Sequence, residues 1–336
     1  MCKYAAMQIC RFSGKVSKFC KPERCRWHVN IHLPTFNYIW LVEIVKAVLT
    51  VQKMNYSFIT FLGTDGFLPG VLALSNSIKK YNSTYGLLVL TTDLVSPQSL
   101  ATLDSRNIKH KYVQRIKNPN ELGNDERNFR HMYTKLRIFE QDEFDKVVYI
   151  DADMLVCCNI EELFDCQHMS AVVAGALNPV NSHWDALNAG FLVVVPDRAL
   201  AEQMYALIDT TPSDDGSDQG FLHSFYNNWP NDKHLHLHHK YNVPVYEIEL
   251  YAKLDHFKFS YNNSRLDTDI AIIHYWGYDK PWFHDGKLLN IRSPRIVDRA
   301  YLLWWDVYRP ADRKLRAFYY IRNVIARKLR SLLKVK

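Results

Sequence analysis

The sequence predicts an α/β protein with a mostly parallel central sheet and flanking helices. Three observations predict it. Apolar runs at Tyr56–Leu62, Leu87–Thr92 and Lys146–Ile150 lack polar alternation, as strands covered on both faces do. Stretches with helical spacing of apolar residues alternate with these runs, the order that gives a parallel sheet. The third run ends in Asp151-Ala152-Asp153, which puts two carboxylates at the carboxyl edge, where open α/β sheets bind ligands.

The elements follow in order. Tyr56–Leu62 is a β-rich run that stops at Gly63, and Pro69 sits in the first turn of a helix whose buried side is Val71, Leu72, Leu74 and Ile78. After the Leu87–Thr92 strand, Ser96-Pro97 opens a second helix with Leu100 and Leu103 facing inward. His110–Ile116 pairs as a third strand, Lys117–Arg130 is a polar surface loop, and Met132–Phe139 is helical before Lys146–Ile150. In the second half Ala171–Ala174 and Phe191–Val195 read as strands, Asp197–Ile208 as an amphipathic helix, and Asp218–Tyr226 as a short helix after a turn. His234, His236 and His238 alternate with leucines and predict a strand with a histidine face. Ala271–Tyr275 is a late apolar strand, the chain after Trp282 is loop-like, and Arg309–Lys336 is a final helix. In that helix Phe318, Ile321, Ile325, Leu329 and Leu332 form an apolar stripe opposite Arg313, Arg316, Arg327, Arg330 and Lys334, with Arg322 interrupting it. That is a basic amphipathic helix of interfacial type.

With 336 residues, 48% hydrophobic and 23% charged, the chain can bury a sizeable core, which excludes collagen-like, disordered and coiled-coil classes. Its net charge of +7 is unevenly placed: residues 1–30 hold seven Lys or Arg against Glu23, and residues 309–336 hold ten against Asp312. The core between them is therefore acidic, which argues against nucleic acid and for an anionic membrane surface at the basic ends. Seven cysteines, four of them in the first 25 residues, lack the paired spacing of a zinc site and read as thiols. The alternative is an oxidising lumen in which those four are paired. The one span candidate, Phe36–Val51, is broken by Glu43 and Lys46, whereas a spanning helix needs about 20 mostly apolar residues. Residues 1–53 are expected to be either an upstream extension before Met54 or a poorly conforming signal anchor. The expected organisation is this segment, a catalytic domain over 54–285, and a C-terminal segment over 286–336.

Two carboxylates at i and i+2 around a turn can share a divalent cation, Mn2+ or Mg2+. Alone, such a pair is a common strand-ending turn. Here His274 closes a second apolar strand and is followed by Gly277, where backbone can approach a phosphate, and by Lys280, a point charge for it.

These elements, with Asn188-Ala189-Gly190, Asp218-Gln219-Gly220 and the closing His274-x-x-Gly277-x-x-Lys280-Pro281-Trp282, resemble the family 8 retaining glycosyltransferases, the glycogenin and galactinol synthase group. The similarity runs from about Ser57 to Trp282. The resemblance implies a Rossmann-like GT-A fold that binds a UDP-sugar with Mn2+. It implies Asp151, Asp153 and His274 as metal ligands, and Phe61, Gly63, Thr64 and Phe67 around the uracil and ribose. It places Lys135, Ala152, Gly277 and Lys280 on the donor, and Asn188, Ala189, Asp215, Asp218 and Gln219 around the sugar ring. Arg127 or Arg130 takes the place of the family's donor-binding arginine.

Departure of UDP puts charge on the β-phosphate, which a cation and Lys280 can stabilise. Retention needs either a covalent carboxylate or front-face attack. Asp218 and Gln219 are the catalytic candidates, and front-face attack is the expected route. The expected reaction moves glucose or galactose from a UDP-hexose to a carbohydrate, a lipid-linked glycan or a soluble polyol. A nucleotidyltransferase and a non-catalytic sugar-binding protein are the rivals from other classes. The expected location is cytoplasmic and peripheral to a membrane, or the Golgi or ER lumen if residues 1–53 anchor the chain.

Overall fold

The computed structural model describes residues 54–120, 129–175, 177–262, 264–277, 279–283 and 295–309. The apolar stretch 36–51, the four N-terminal cysteines, Arg127, the side chain of Arg130 and the basic helix expected beyond Arg309 lie outside the described residues.

Six strands form the main sheet: β1 (Tyr56–Leu62), β2 (Leu87–Thr91), β3 (Lys109–Tyr112), β4 (Lys146–Ile150), β6 (Ser170–Val173) and β7 (Leu187–Val194), ordered β3-β2-β1-β4-β7-β6. The first four strands run parallel, with β1 between β2 and β4. Both faces of β1, β2 and β4 are covered, which is why they read as unbroken apolar runs: Phe58, Ile59, Val148 and Tyr149 are all buried, whereas the edge strand β3 is polar and largely exposed. Helices α1 (Leu68–Tyr81), α2 (Pro97–Ser105) and α3 (Arg198–Leu207) start where Pro69, Ser96 and Asp197 predict. The Ser96 and Asp197 side chains accept from backbone N–H groups in the first turns of α2 and α3. The segment Phe129–Glu140, expected to be helical in part, winds as a 3-10 helix that buries Tyr133, Leu136 and Phe139.

Strand β7 corrects the expected boundary. It begins at Leu187, four residues earlier than Phe191, and runs antiparallel to both β4 and β6. Asn and Gly are poor strand formers, so Asn188-Ala189-Gly190 reads as a break in the sequence yet completes the sheet beside β4.

A small second sheet decides where the site forms. It contains β5 (Met154–Val156), β8 (Val243–Pro244) and β11 (Ile272–His274), in the order β5-β11-β8. The chain leaves the main sheet at Ile150 and enters the second at Met154, so Asp151-Ala152-Asp153 is the corner between two sheets. Met154 N–H donates to the Asp151 carbonyl at 3.1 Å and closes that corner. Helix α4 (Asp218–Phe225) packs on β7, while α5 (Ile248–Leu254) and the hairpin β9 (Phe259–Asn262) with β10 (Arg265–Thr268) lie beyond the second sheet.

Two sequence expectations fail. The region after Trp282 contains a helix, α6 (Ile296–Tyr308), with Ala300 through Trp305 and Val307 buried against the core around β11. A helix buried on most of its circumference loses the apolar stripe that would reveal it. The histidines at 234, 236 and 238 do not share a strand face. Residues 233–235 and 239–241 are single 3-10 turns, His236 stacks on Trp229 at 4.2 Å, and His238 lies beside Asp255.

Candidate active site

The sheet corner and β11 bring together Asp151, Asp153 and His274, whose ligand atoms all lie within 4.8 Å of one another. Among the described residues this is the one cluster that could hold a metal ion. Strand pairing explains the meeting. His274 is in register with Met154, and Tyr275 N–H donates to the Asp153 carbonyl at 2.9 Å. Asn242, just before β8, faces His274 Nδ1 with its Oδ1 at 2.9 Å. Nε2, the other ring nitrogen, faces Asp153 Oδ1, 3.3 Å away. Burial by itself would raise the pKa of Asp153, but His274 and Lys280 outweigh it and hold the carboxylate well below its usual range. Two carboxylates and an imidazole nitrogen fit a hard divalent cation.

A second set of contacts surrounds Asp151. Tyr149 Oη donates to Asp151 Oδ1 at 2.5 Å, and Lys135 Nζ lies 3.3 Å from the same oxygen and 3.1 Å from Asp218 Oδ2. Burial opposes the charge of Lys135, yet the two carboxylates win and push its pKa up, so it remains a cation. For the fully buried Asp218 the balance runs the other way: desolvation raises its pKa despite Lys135. Lys135 Nζ also donates to the Ala189 carbonyl at 3.4 Å, and Ala189 N–H donates to Gln219 Oε1 at 3.0 Å. A side chain at residue 190 would crowd the site: a Cβ there would lie 2.8 Å from Asp151 Oδ2 and 3.0 Å from Asn188 Oδ1. Lys135, Asp151, Asn188, Ala189, Asp218 and Gln219 thus form one connected group.

Lys280 Nζ pairs with Asp153 Oδ2, donates to the Tyr275 carbonyl at 3.0 Å and lies 5.8 Å from the centre of the Phe67 ring. Phe67 in turn meets Trp282 edge-on at 5.7 Å. Ala152 is buried in the corner itself. Gly277 has a φ of +89°, and among the described residues nothing lies within 4 Å of where a Cβ would stand, which suits a ligand approaching its backbone. Phe61, Gly63 and Thr64 lie at the carboxyl end of β1, beside β4, with the Phe61 ring folded back over Gly63. Asp215 does not join the cluster through Oδ1, which accepts from Ser217 and Gly220 N–H and so ties the loop to the start of α4. Tyr149 and Asn242 are absent from the sequence expectations. A tyrosine one turn of pleat before the first aspartate was visible, but nothing marked Asn242.

A profile of glycosyl transferase family 8 matches residues 58–286. The chain belongs to glycosyltransferase family 8. Similar proteins include inositol phosphorylceramide glucuronosyltransferase 1 of Arabidopsis thaliana, 35% identical over 60% of this chain and 36% of that protein. Glycogenin-1 of Oryctolagus cuniculus is 30% identical over 76% of this chain and 75% of its own length. The chain therefore spans about a third of the glucuronosyltransferase. Among solved structures, galactosyltransferase LgtC in complex with donor and acceptor sugar analogs aligns with a TM-score of 0.46 and 15% identity, over 75% of this chain and 95% of that one. This family 8 chain is mixed α/β with a mostly parallel central sheet. No helix of its described residues is long and apolar enough to cross a membrane.

Proposed function

We propose that this protein is a metal-dependent, retaining hexosyltransferase that uses a UDP-sugar. The observation that carries the reading is the Asp151, Asp153 and His274 cluster at the sheet corner of a family 8 chain. Asp151, Asp153 and His274 would hold Mn2+, with Mg2+ the alternative, and the bound ion would supply charge stabilisation to the departing diphosphate. Lys280, fixed by the Tyr275 carbonyl, offers a further positive charge, and Gly277 an accessible backbone. Phe61, Gly63, Thr64 and Phe67 line the side on which the nucleoside would lie.

Lys135 orients the sugar side by tying together Asp151, Asp218 and the Ala189 carbonyl. With Oε1 committed to Ala189 N–H, Gln219 has its Nε2 donor left for a sugar hydroxyl. Asp218 is buried and held by Lys135, which suits an electrostatic role better than a mobile nucleophile and supports front-face attack. The leaving phosphate oxygen then accepts the acceptor's proton. Trapping a glycosyl adduct on Asp218 would sink that route.

Glucose or galactose is the donor sugar this reading favours. Four relatives are named glucuronosyltransferases, one for inositol phosphorylceramide and three for xylan, two of those putative, and they favour UDP-glucuronate as a second reading. The acceptor is a carbohydrate, and the ten basic residues of 309–336 support one linked to a membrane. The test measures UDP release from UDP-glucose, UDP-galactose, UDP-xylose and UDP-glucuronate, with Mn2+ or with EDTA, for the wild type and Asp153→Ala. Release that needs Mn2+ and vanishes in the mutant is expected. Release from the EDTA-treated or mutant protein at the wild-type rate would remove the metal from the mechanism.

A further inference from the structure

Five large apolar side chains at this edge of the protein remain exposed: Val180, Trp184, Tyr246, Trp276 and Phe283. They sit on three loops that are tied to one another. The loop between β6 and β7 is closed by Gly175 N–H donating to the Trp184 carbonyl and Trp184 N–H donating to the Asn181 carbonyl, each at 2.8 Å. From the same loop, Asn178 Nδ2 donates to Glu247 Oε1 at 2.7 Å. Next to Glu247, Tyr246 Oη donates to the Asp279 carbonyl at 3.3 Å, and Lys280 follows with its contact to Asp153. The rim is thus continuous with the candidate active site at both ends. Trp184 stands four residues before Asn188, and Trp276 two residues after His274.

An internally bonded loop that keeps an indole 47% exposed presents a preformed contact surface. The charge of the rim narrows what it contacts. It carries Asp185, Glu247 and Asp279, while its one described lysine, Lys280, is buried against Asp153. That set repels phosphate and carboxylate groups. It suits a neutral polyhydroxyl compound, whose C–H face covers an indole while its hydroxyls donate to carboxylate and amide oxygens. The His183 ring, edge-on to Trp184 at 5.6 Å, supports the indole from one side.

We propose that the β6–β7 loop is the acceptor platform, with Trp184 as the ring on which a neutral sugar unit of the acceptor stacks. The role as acceptor rests on the glycosyltransferase reading; the binding itself is measurable without it. Saturation-transfer NMR with maltose, lactose and xylobiose at millimolar concentration, with no donor present, reads it out. The wild type is expected to transfer saturation to sugar C–H protons, Trp184→Phe to retain most of the signal, and Trp184→Ala to bind at least about tenfold more weakly. Leu207→Ala, an exposed apolar position at the end of α3, is expected to bind as the wild type does. Equal binding by the wild type and Trp184→Ala overturns the platform, as does binding by neither. Trp184-dependent co-sedimentation with phosphatidylcholine–phosphatidylserine vesicles, without sugar binding, overturns it too and makes the rim a lipid contact. Sugar binding through Trp184 in a protein that turns over no UDP-sugar would leave the platform standing and the transferase reading refuted.

Discussion

Asn242 accepts from His274 Nδ1, and Tyr149 donates to Asp151, so each of these two candidate ligands has a partner that helps set its orientation. Partners of this kind commonly govern metal affinity by about 10–100-fold. Asn242→Ala is therefore expected to weaken Mn2+ binding by about that factor, read by calorimetric titration, with circular dichroism unchanged. Unaltered affinity would show that strand pairing alone positions His274. Gly190→Ala is a harsher change, because its methyl must displace Asp151 Oδ2 or Asn188 Oδ1. Loss of Mn2+ binding is expected in the same titration, and wild-type affinity would show that the Asp151 side chain can shift without harm. At this scale the sequence was informative where chemistry is local. Asp151 and Asp153 share a turn, and His274 carries its own Gly and Lys. Asn242 was invisible because an isolated Asn in a loop has no pattern, and its partner is 32 residues away.

Strands β1, β2 and β4 were legible since burial on both faces leaves an unbroken apolar run, and α1 to α3 since Pro, Ser and Asp mark their starts. Helix α6 was not, and the reason makes a prediction. Trp304 is fully buried among Trp282, Trp305 and Tyr308, and its indole N–H has no hydrogen-bond partner among the described residues. Trp304→Ala should cost about 3–5 kcal/mol in denaturant unfolding, the usual range for a large buried ring. Trp304→Phe should cost far less, since the ring it keeps does the packing and no hydrogen bond is lost. Near-equal costs for the two would mean that α6 contributes little to the core. The histidine-leucine alternation at 234–238 misled for a different reason: its period of two matches a strand, but His236 is drawn to the face of Trp229 instead.

For the molecule as a whole, acid sensitivity has a specific source in the described residues. His168 Nδ1 accepts from Val195 N–H at 3.1 Å, so the proton is on Nε2, which faces Tyr226 Oη at 3.1 Å. Burial lowers the pKa of this histidine below its ordinary value, with Asp197 pulling weakly the other way. The unfolded chain therefore binds the proton first. Its contribution is intact above the unfolded value of about 6.5 and is lost as pH falls through the window below it. The melting temperature is expected to drop between about pH 7 and pH 5, and to drop less in His168→Gln. Parallel curves for the two proteins would assign the acid sensitivity to other groups.

The corner at Asp151–Asp153 joins two sheets that are otherwise built from distant parts of the chain; Lys280 meets Asp153 across 127 residues. A cation shared by Asp151, Asp153 and His274 would act there as a latch, because opening the β5–β11 ladder would also dismantle its own binding site. Amide hydrogen exchange should consequently slow on Mn2+ addition at Leu155 and Ile273, which face each other in that ladder, and stay unchanged at Ile59 and Leu88 in the main sheet. Ligation in this protein would then govern how long the two sheets remain joined.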